Sequence, residues 1–255
     1  MPSLSPNRLR YLFARYGRRG RFERAEDLFP QVHLLPTRQR KFFPEITDEV
    51  FWQIYQIASP YSLVHVPGFF NLFQSMRHVS ANRISGDIVE CGCFLGGIAI
   101  FLGLLRRELG LSDKRIVLFD TFEGPPVGTK DIAFGRPTET TAALPRYRET
   151  AEANIVRHLG SSSGYDFIEG LVEETLPRTA LGPLCLLRLD TDYYPSTKVE
   201  LETLYPKLSG GGVLIVDDYG SHQGARRATD EYLAALDRPP LLNRVDAGVW
   251  AGVKP

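Results

Sequence analysis

The sequence predicts an α/β fold: a doubly wound, mostly parallel sheet with an antiparallel hairpin at its C-terminal edge and a helical arm at its N-terminus. Three observations predict it. From Gly86 onward, short β-rich runs alternate with helical ones, the pattern of parallel strands joined by crossover helices. The central apolar runs end in carboxylates, at Glu90, Asp120, Asp190 and Asp217-Asp218. The last stretch, LLNRVDAGVWAGVK, places two β-rich runs around Asp246-Ala247-Gly248, which has the composition of a hairpin turn.

The elements follow in order. Residues 1–45 read as a basic arm: residues 1–41 hold nine Arg and one Lys against three acids, with aromatics interleaved. Such a run is ordinarily a solvated face or an oligomer contact, though it also leaves room for peripheral contact with an anionic surface. Residues 46–85 read as a helical cap. DEVFWQIYQIA spaces Phe51, Ile54, Tyr55 and Ala58 helically after an acidic start, and GFFNLFQSMRHVSANR continues as a second helix after Pro67-Gly68. From residue 86 to 255 the runs are DIVECG (strand), GGIAIFLGLLRREL (helix), RIVLFD (strand), PRYRETAEANIVRHL (helix), YDFIEG and LCLLRLD (strands), STKVELETLYPKL (helix), GGVLIVDDYG (strand) and GARRATDEYLAAL (helix). Residues 127–141, VGTKDIAFGRPTETT, are long, polar and unpatterned, and are expected to form a mobile lid where the acceptor is chosen.

Composition excludes several classes. The 255 residues balance 30 basic against 30 acidic side chains, so no global charge calls for nucleic acid. No segment approaches the apolar length of a membrane span. Cys91, Cys93 and Cys185 cannot all pair with one another and suit a reducing cytoplasm; Cys91-x-Cys93 lacks zinc-finger spacing.

In an open parallel sheet, ligands bind outside the carboxyl ends of the strands. Several acids gathered there repel one another unless a cation or hydrogen-bond donors hold them. The turn VECGCFLGG carries Gly92, Gly96 and Gly97 between a strand and a helix whose N-terminus favours an anion. Asp120, thirty residues on, stands where an acid can hold ribose hydroxyls. The spacing is not G-x-G-x-x-G, which disfavours a nicotinamide dinucleotide and fits S-adenosylmethionine better. Asp190 and Asp192, two apart on an extended chain, can face one crevice with Asp217 and Asp218. A set of carboxylates with no His or Cys nearby suits Mg²⁺ or Ca²⁺ rather than Zn²⁺. The bland counterpart is acids capping helices and pairing with Arg188 or Arg226. His222, just past the DDYGS stretch, is an alternative base.

GDIVECGCFLGG, LFDTFEGPP, FIEGLVEETLP and the long run from LRLDTDYYPST through VDDYGSHQGARRATDEYL together resemble the macrocin O-methyltransferase family. The resemblance spans roughly residues 48–250 and is most specific from Leu187 to Tyr219. It implies a Rossmann-like class I methyltransferase domain that uses S-adenosylmethionine and Mg²⁺ to methylate hydroxyls of sugars or glycosides. By that resemblance Asp190, Asp217 and Asp218 would ligate the metal and Asp192 would be the general base. Glu90, Gly92, Phe94, Gly96, Asp120, Thr121 and Gly170 would surround the cofactor. This chain departs from the family pattern at Cys93-Phe94-Leu95, and at Thr191, which replaces a common small residue between the two aspartates. A catechol-type O-methyltransferase and a non-catalytic nucleoside-binding protein are the competing readings.

Overall fold

The computed structural model describes residues 22–29 and 31–255. The most basic part of the arm, including its proposed surface contact, therefore lies outside the described residues. Its continuation belongs to the cap. A short helix, α1 (Ala25–Leu28), buries Phe22, Ala25 and Leu28. Arg38, only 4% exposed, donates to the carbonyls of Ser59 and Ser62 at 2.6 and 3.0 Å.

Helices α2 (Glu49–Ala58) and α3 (Val66–Ala81) form where the helical spacing placed them. Asp48 caps α2 by accepting from the amides of Val50 and Phe51. Their buried aromatics, Phe51, Trp52, Tyr55, Phe69 and Phe73, pack edge to face against one another and against Phe101. These stripes are core.

The sheet comprises β1 (Asp87–Cys91), β2 (Ile116–Asp120), β5 (Tyr165–Glu169), β6 (Leu184–Leu189), β7 (Leu208–Val216), β8 (Asn243–Arg244) and β9 (Trp250–Val253). Its order is β5-β2-β1-β6-β7-β9-β8. β5, β2, β1, β6 and β7 run parallel, and β9 joins antiparallel to β7 and β8. The predicted edge hairpin is thus present, closed by Asp246, whose carboxylate accepts from the amides of Gly248 and Val249. β2 and β6 are buried along their whole length, as strands covered on both faces must be. Helices α4 (Gly97–Glu108) and α5 (Arg148–Leu159) lie with the cap on one face. Helices α6 (Val172–Thr175), α7 (Tyr194–Leu204) and α8 (Gln223–Ala234) belong to the other.

Register aligns the strand ends. Cys91 stands beside Phe119 on one side and Leu189 on the other, and Leu189 beside Val216. Gly92, Asp120, Asp190 and Asp217 therefore emerge together at one edge.

Residues 127–141 are not unpatterned. They contain a hairpin, β3 (Lys130–Ala133) and β4 (Arg136–Glu139), turned by Phe134-Gly135, both at positive φ (49° and 74°). Two successive positive φ values make the two-residue turn that matches strand twist. The ladder went unseen because neither strand buries an apolar face, so no alternation marks it. It is latched to the sheet edge: the Phe134 amide donates to the Ser221 carbonyl at 2.7 Å, and Asp131 accepts from the Gly224 amide at 3.1 Å.

Candidate active site

The glycine turn is built around Asp120. Gly92, with φ of 85°, lies so close to β6 that a Cβ there would stand 2.0 Å from the Asp190 carbonyl. Only glycine permits that approach. Beyond it, Asp120 Oδ2 accepts from the amides of Cys93 and Phe94 at 2.8 and 2.9 Å. Asp120 Oδ1 accepts from the Phe122 amide at 2.7 Å and the Tyr147 hydroxyl at 3.0 Å. A carboxylate offers about four lone-pair sites, and all four are taken. Burial raises the Asp120 pKa above the usual range, opposed by these same bonds. Asp120 is thus the clamp that shapes the turn, and in this arrangement it has no lone pair left for a ribose hydroxyl.

The other expected cofactor residues divide. Gly96, in the left-handed region (φ 84°), precedes α4, whose first amides receive no side-chain cap and so present an anion site. Phe94 (φ 49°) puts its ring against Tyr147 in the same turn. Gly170 follows β5 and donates its amide to the Asp120 carbonyl at 3.0 Å, bringing it to the same edge. Thr121 uses its hydroxyl locally, donating to the Gly124 carbonyl at 2.7 Å. Glu90 sits beneath the turn, 0% exposed, bonded to Arg188 at 3.0 Å. Its side chain follows the strand alternation inward, so it faces a buried cation and not the open edge. Burial pushes its pKa up to about 7 despite Arg188.

Arg188 organises the acidic side. It is 1% exposed; one guanidinium nitrogen meets Glu90, and the other lies 2.7 Å from both Asp190 Oδ2 and Asp217 Oδ1. The pairing with Arg188 weighed against a metal is therefore real. It does not exhaust the acids. Oxygens of Asp190, Asp217 and Asp218 lie within 4.8 Å of one another. Burial raises the pKa of both Asp190 and Asp217, with Arg188 opposing. Asp218 keeps one buried oxygen, Oδ2, with no partner.

His222 corrects the expectation of a site without nitrogen. It precedes α8, and its Nδ1 lies 3.0 Å from Asp218 Oδ1 and 3.7 Å from Asp192 Oδ1. The three side chains form a second converging group. His222 and Asp218 are only four residues apart: the amides of Ser221 and His222 both donate to the Asp218 carbonyl, and this turn folds the imidazole back onto the Asp218 carboxylate. Burial works to lower the His222 pKa, but Asp218 and Asp192 outweigh it and raise it to about 9. Burial also works to raise Asp218, but the hydrogen bond from His222 leaves it below the usual range. Asp192 is pushed well up, by burial and by Asp218. It sits at φ of 67°, its side chain 37% exposed and on neither of Arg188's nitrogens. Two shallow depressions along the cap, lined by Arg40–Glu49 and by Asp48, Phe73 and Arg77, lie away from these groups and carry no comparable chemistry.

Sequence and fold both match known proteins. The TylF macrocin-O-methyltransferase family model matches residues 59–252. A demethyldecarbamoylnovobiocin O-methyltransferase from Streptomyces niveus is 31% identical over 193 residues, 74% of each chain. A rhamnosyl-tetracenomycin-C 4'-O-methyltransferase from Streptomyces olivaceus is 35% identical over 190 residues, covering 73% of this chain and 72% of that one. Among solved structures, the O-methyltransferase NovP superposes with a TM-score of 0.69 at 29% identity, over 76% of this chain and 82% of its own. With an unbroken match across most of the methyltransferase fold, the chain belongs to the TylF macrocin-O-methyltransferase family and is an O-methyltransferase.

Proposed function

We propose that this chain moves a methyl group from S-adenosylmethionine to a hydroxyl of a sugar or glycosylated small molecule, with Mg²⁺ at Asp190, Asp217 and Asp218 and with Asp192 as proton acceptor. One observation carries the reading: three strand-end carboxylates converge within 4.8 Å, one with an orphaned buried oxygen, while a fourth stands beside them off Arg188. An unpartnered buried oxygen is costly, and a hard divalent cation is the group that such a set fits. The name of one relative, a 4'-O-methyltransferase of a rhamnosyl-tetracenomycin, supports the acceptor class.

Each residue then has a task. The uncapped N-terminus of α4 receives the carboxylate of the cofactor's amino-acid end. Asp120 holds the turn around it through four hydrogen bonds. Mg²⁺, when bound, supplies positive charge that acidifies a nearby hydroxyl and orients it. Arg188 neutralises part of the carboxylate charge from below, so the acids can stay gathered without a cation. Asp192 accepts the hydroxyl proton as oxygen replaces sulfur on the methyl carbon. The hairpin β3–β4 covers this edge, with Val127 and Phe134 exposed (61% and 58%) where an apolar aglycone can rest. Acceptor choice belongs there.

Methyl transfer to a panel of glycosides, beginning with demethyldecarbamoylnovobiocin, tests the assignment alongside calorimetric titration of Mg²⁺ and S-adenosylhomocysteine. Asp192→Asn should lower turnover about 10²–10⁴-fold, the range of a lost general base, with both affinities nearly unchanged. Wild-type rates in that variant would remove Asp192 from the role. Asp217→Ala should weaken Mg²⁺ binding, and excess Mg²⁺ should restore turnover.

A further inference from the structure

A fully buried carboxyl lies directly beneath the two aspartates, outside every role described so far. Glu200, on the inner face of α7, is 0% exposed among Thr197, Leu201 and Leu204. Its Oε1 accepts from the Thr191 hydroxyl at 2.9 Å, and its Oε2 has no partner. The Cys91 thiol lies against the same carboxyl. Two of its charged neighbours, Glu173 from α6 and Asp218 after β7, are both acids. Burial pushes its pKa up to about 8, so the carboxyl is mostly protonated at neutral pH. A leucine would pack on this helix face at less cost. What glutamate adds is an acceptor for one hydroxyl.

That hydroxyl stands at the elbow. Thr191 is the residue between Asp190 and Asp192, and the chain turns there into the left-handed region, a conformation non-glycine residues hold only when their surroundings enforce it. The local bonds are backbone bonds and one serine: the Asp190 amide to the Cys91 carbonyl at 2.9 Å, the Tyr193 amide to the Thr191 carbonyl at 2.8 Å, and Ser196 to the Thr191 and Tyr193 carbonyls at 3.4 and 3.0 Å. Ser196, near the start of α7, holds the elbow by its backbone carbonyls, and the Thr191 hydroxyl adds a side-chain tie one turn deeper on the same helix, at Glu200.

We propose that Glu200 is a positioning residue for methyl transfer, holding the Asp190–Asp192 elbow in place through the hydroxyl of Thr191. The inference rests on the reading of Asp192 as proton acceptor. Displacing a reacting group by about 1 Å can cost about 10²-fold in rate, so a slackened elbow should show in kcat and not in cofactor binding.

The test uses the full chain with Thr191→Val, Thr191→Ser, Glu200→Ala and Glu200→Gln. Hydrogen–deuterium exchange of the peptide 187–197 is read first, then methyl transfer to demethyldecarbamoylnovobiocin. Thr191→Val and Glu200→Ala should each speed exchange of the elbow amides and lower kcat about tenfold or more, with KM for S-adenosylmethionine unchanged within about twofold. Their double variant should be no worse than either one. Glu200→Gln and Thr191→Ser, which keep the acceptor and the hydroxyl, should stay near wild type. Should Glu200→Ala fail to fold, the isosteric Thr191→Val carries the comparison. Exchange at the wild-type rate in folded Thr191→Val overturns the inference, whatever the turnover. An active Asp192→Asn would remove the proton-acceptor reading by itself and leave the exchange result to judge the anchor.

Discussion

The strand-end aspartates of the two halves of the sheet edge are held in opposite ways. On the β1–β2 side, Asp120 is 8% exposed and each of its oxygens receives two donors from the chain. On the β6–β7 side, Asp190, Asp192, Asp217 and Asp218 share one guanidinium and one imidazole, and Asp218 keeps a buried oxygen unpaired. The first acid is saturated and therefore part of the scaffold. The second group is under-compensated, which is the ground for the proposed cation site. Residue type and place at a strand end are the same in both; the count of donors separates them.

Three variants probe that contrast. The largest effect is expected from Arg188→Met, which leaves three acids without their buried counter-charge. Removing one partner of a buried pair costs about 3–5 kcal/mol, measurable as a lower urea midpoint. Added Mg²⁺ should restore part of it, and a variant as stable as wild type would mean the acids do not need compensation. Asp120→Asn comes next. An amide can accept only through its oxygen, so it leaves amide donors of the turn unsatisfied at about 1–3 kcal/mol. Metal should not rescue it; rescue by Mg²⁺ would erase the distinction between the two sides. The smallest effect concerns pH. Glu200 has a folded pKa of about 8 against 4.5 for the free side chain, so the folded state holds the extra proton. Its contribution therefore makes stability fall as pH rises through that window. Glu200→Gln should flatten the fall in denaturation midpoint between those pH values, and an unchanged slope would show that the carboxyl does not titrate there.

Much of this site was legible before any coordinates. Strands of parallel sheets are apolar runs, so an acid after each run marks the edge without further information. Arg188 was harder to read, because one basic residue inside LLRLD looks like an interruption until the alternation of β6 points it under the acids. His222 and Asp131 were harder still. Asp131 meets Gly224 over 93 positions, whereas His222 meets Asp218 only four residues away, through a turn whose conformation the residue types do not spell out. Glu200 gave no signal at all, since a single acid on a helix normally faces water.

By itself, the sequence determined the alternation of strands and helices, the glycine turn, the acids at the strand ends and the family to which they belong. These depend on local pattern and spacing, which hydrophobic periodicity and turn chemistry encode directly. Only the tertiary structure decided which acid is saturated and which is free, because partners come from other elements at distances the chain order does not contain. It gave Asp120 four donors from the chain, made Arg188 the hub of three acids and placed Glu200 beneath Thr191. Hydrogen bonding and burial set these roles, and both are properties of packing.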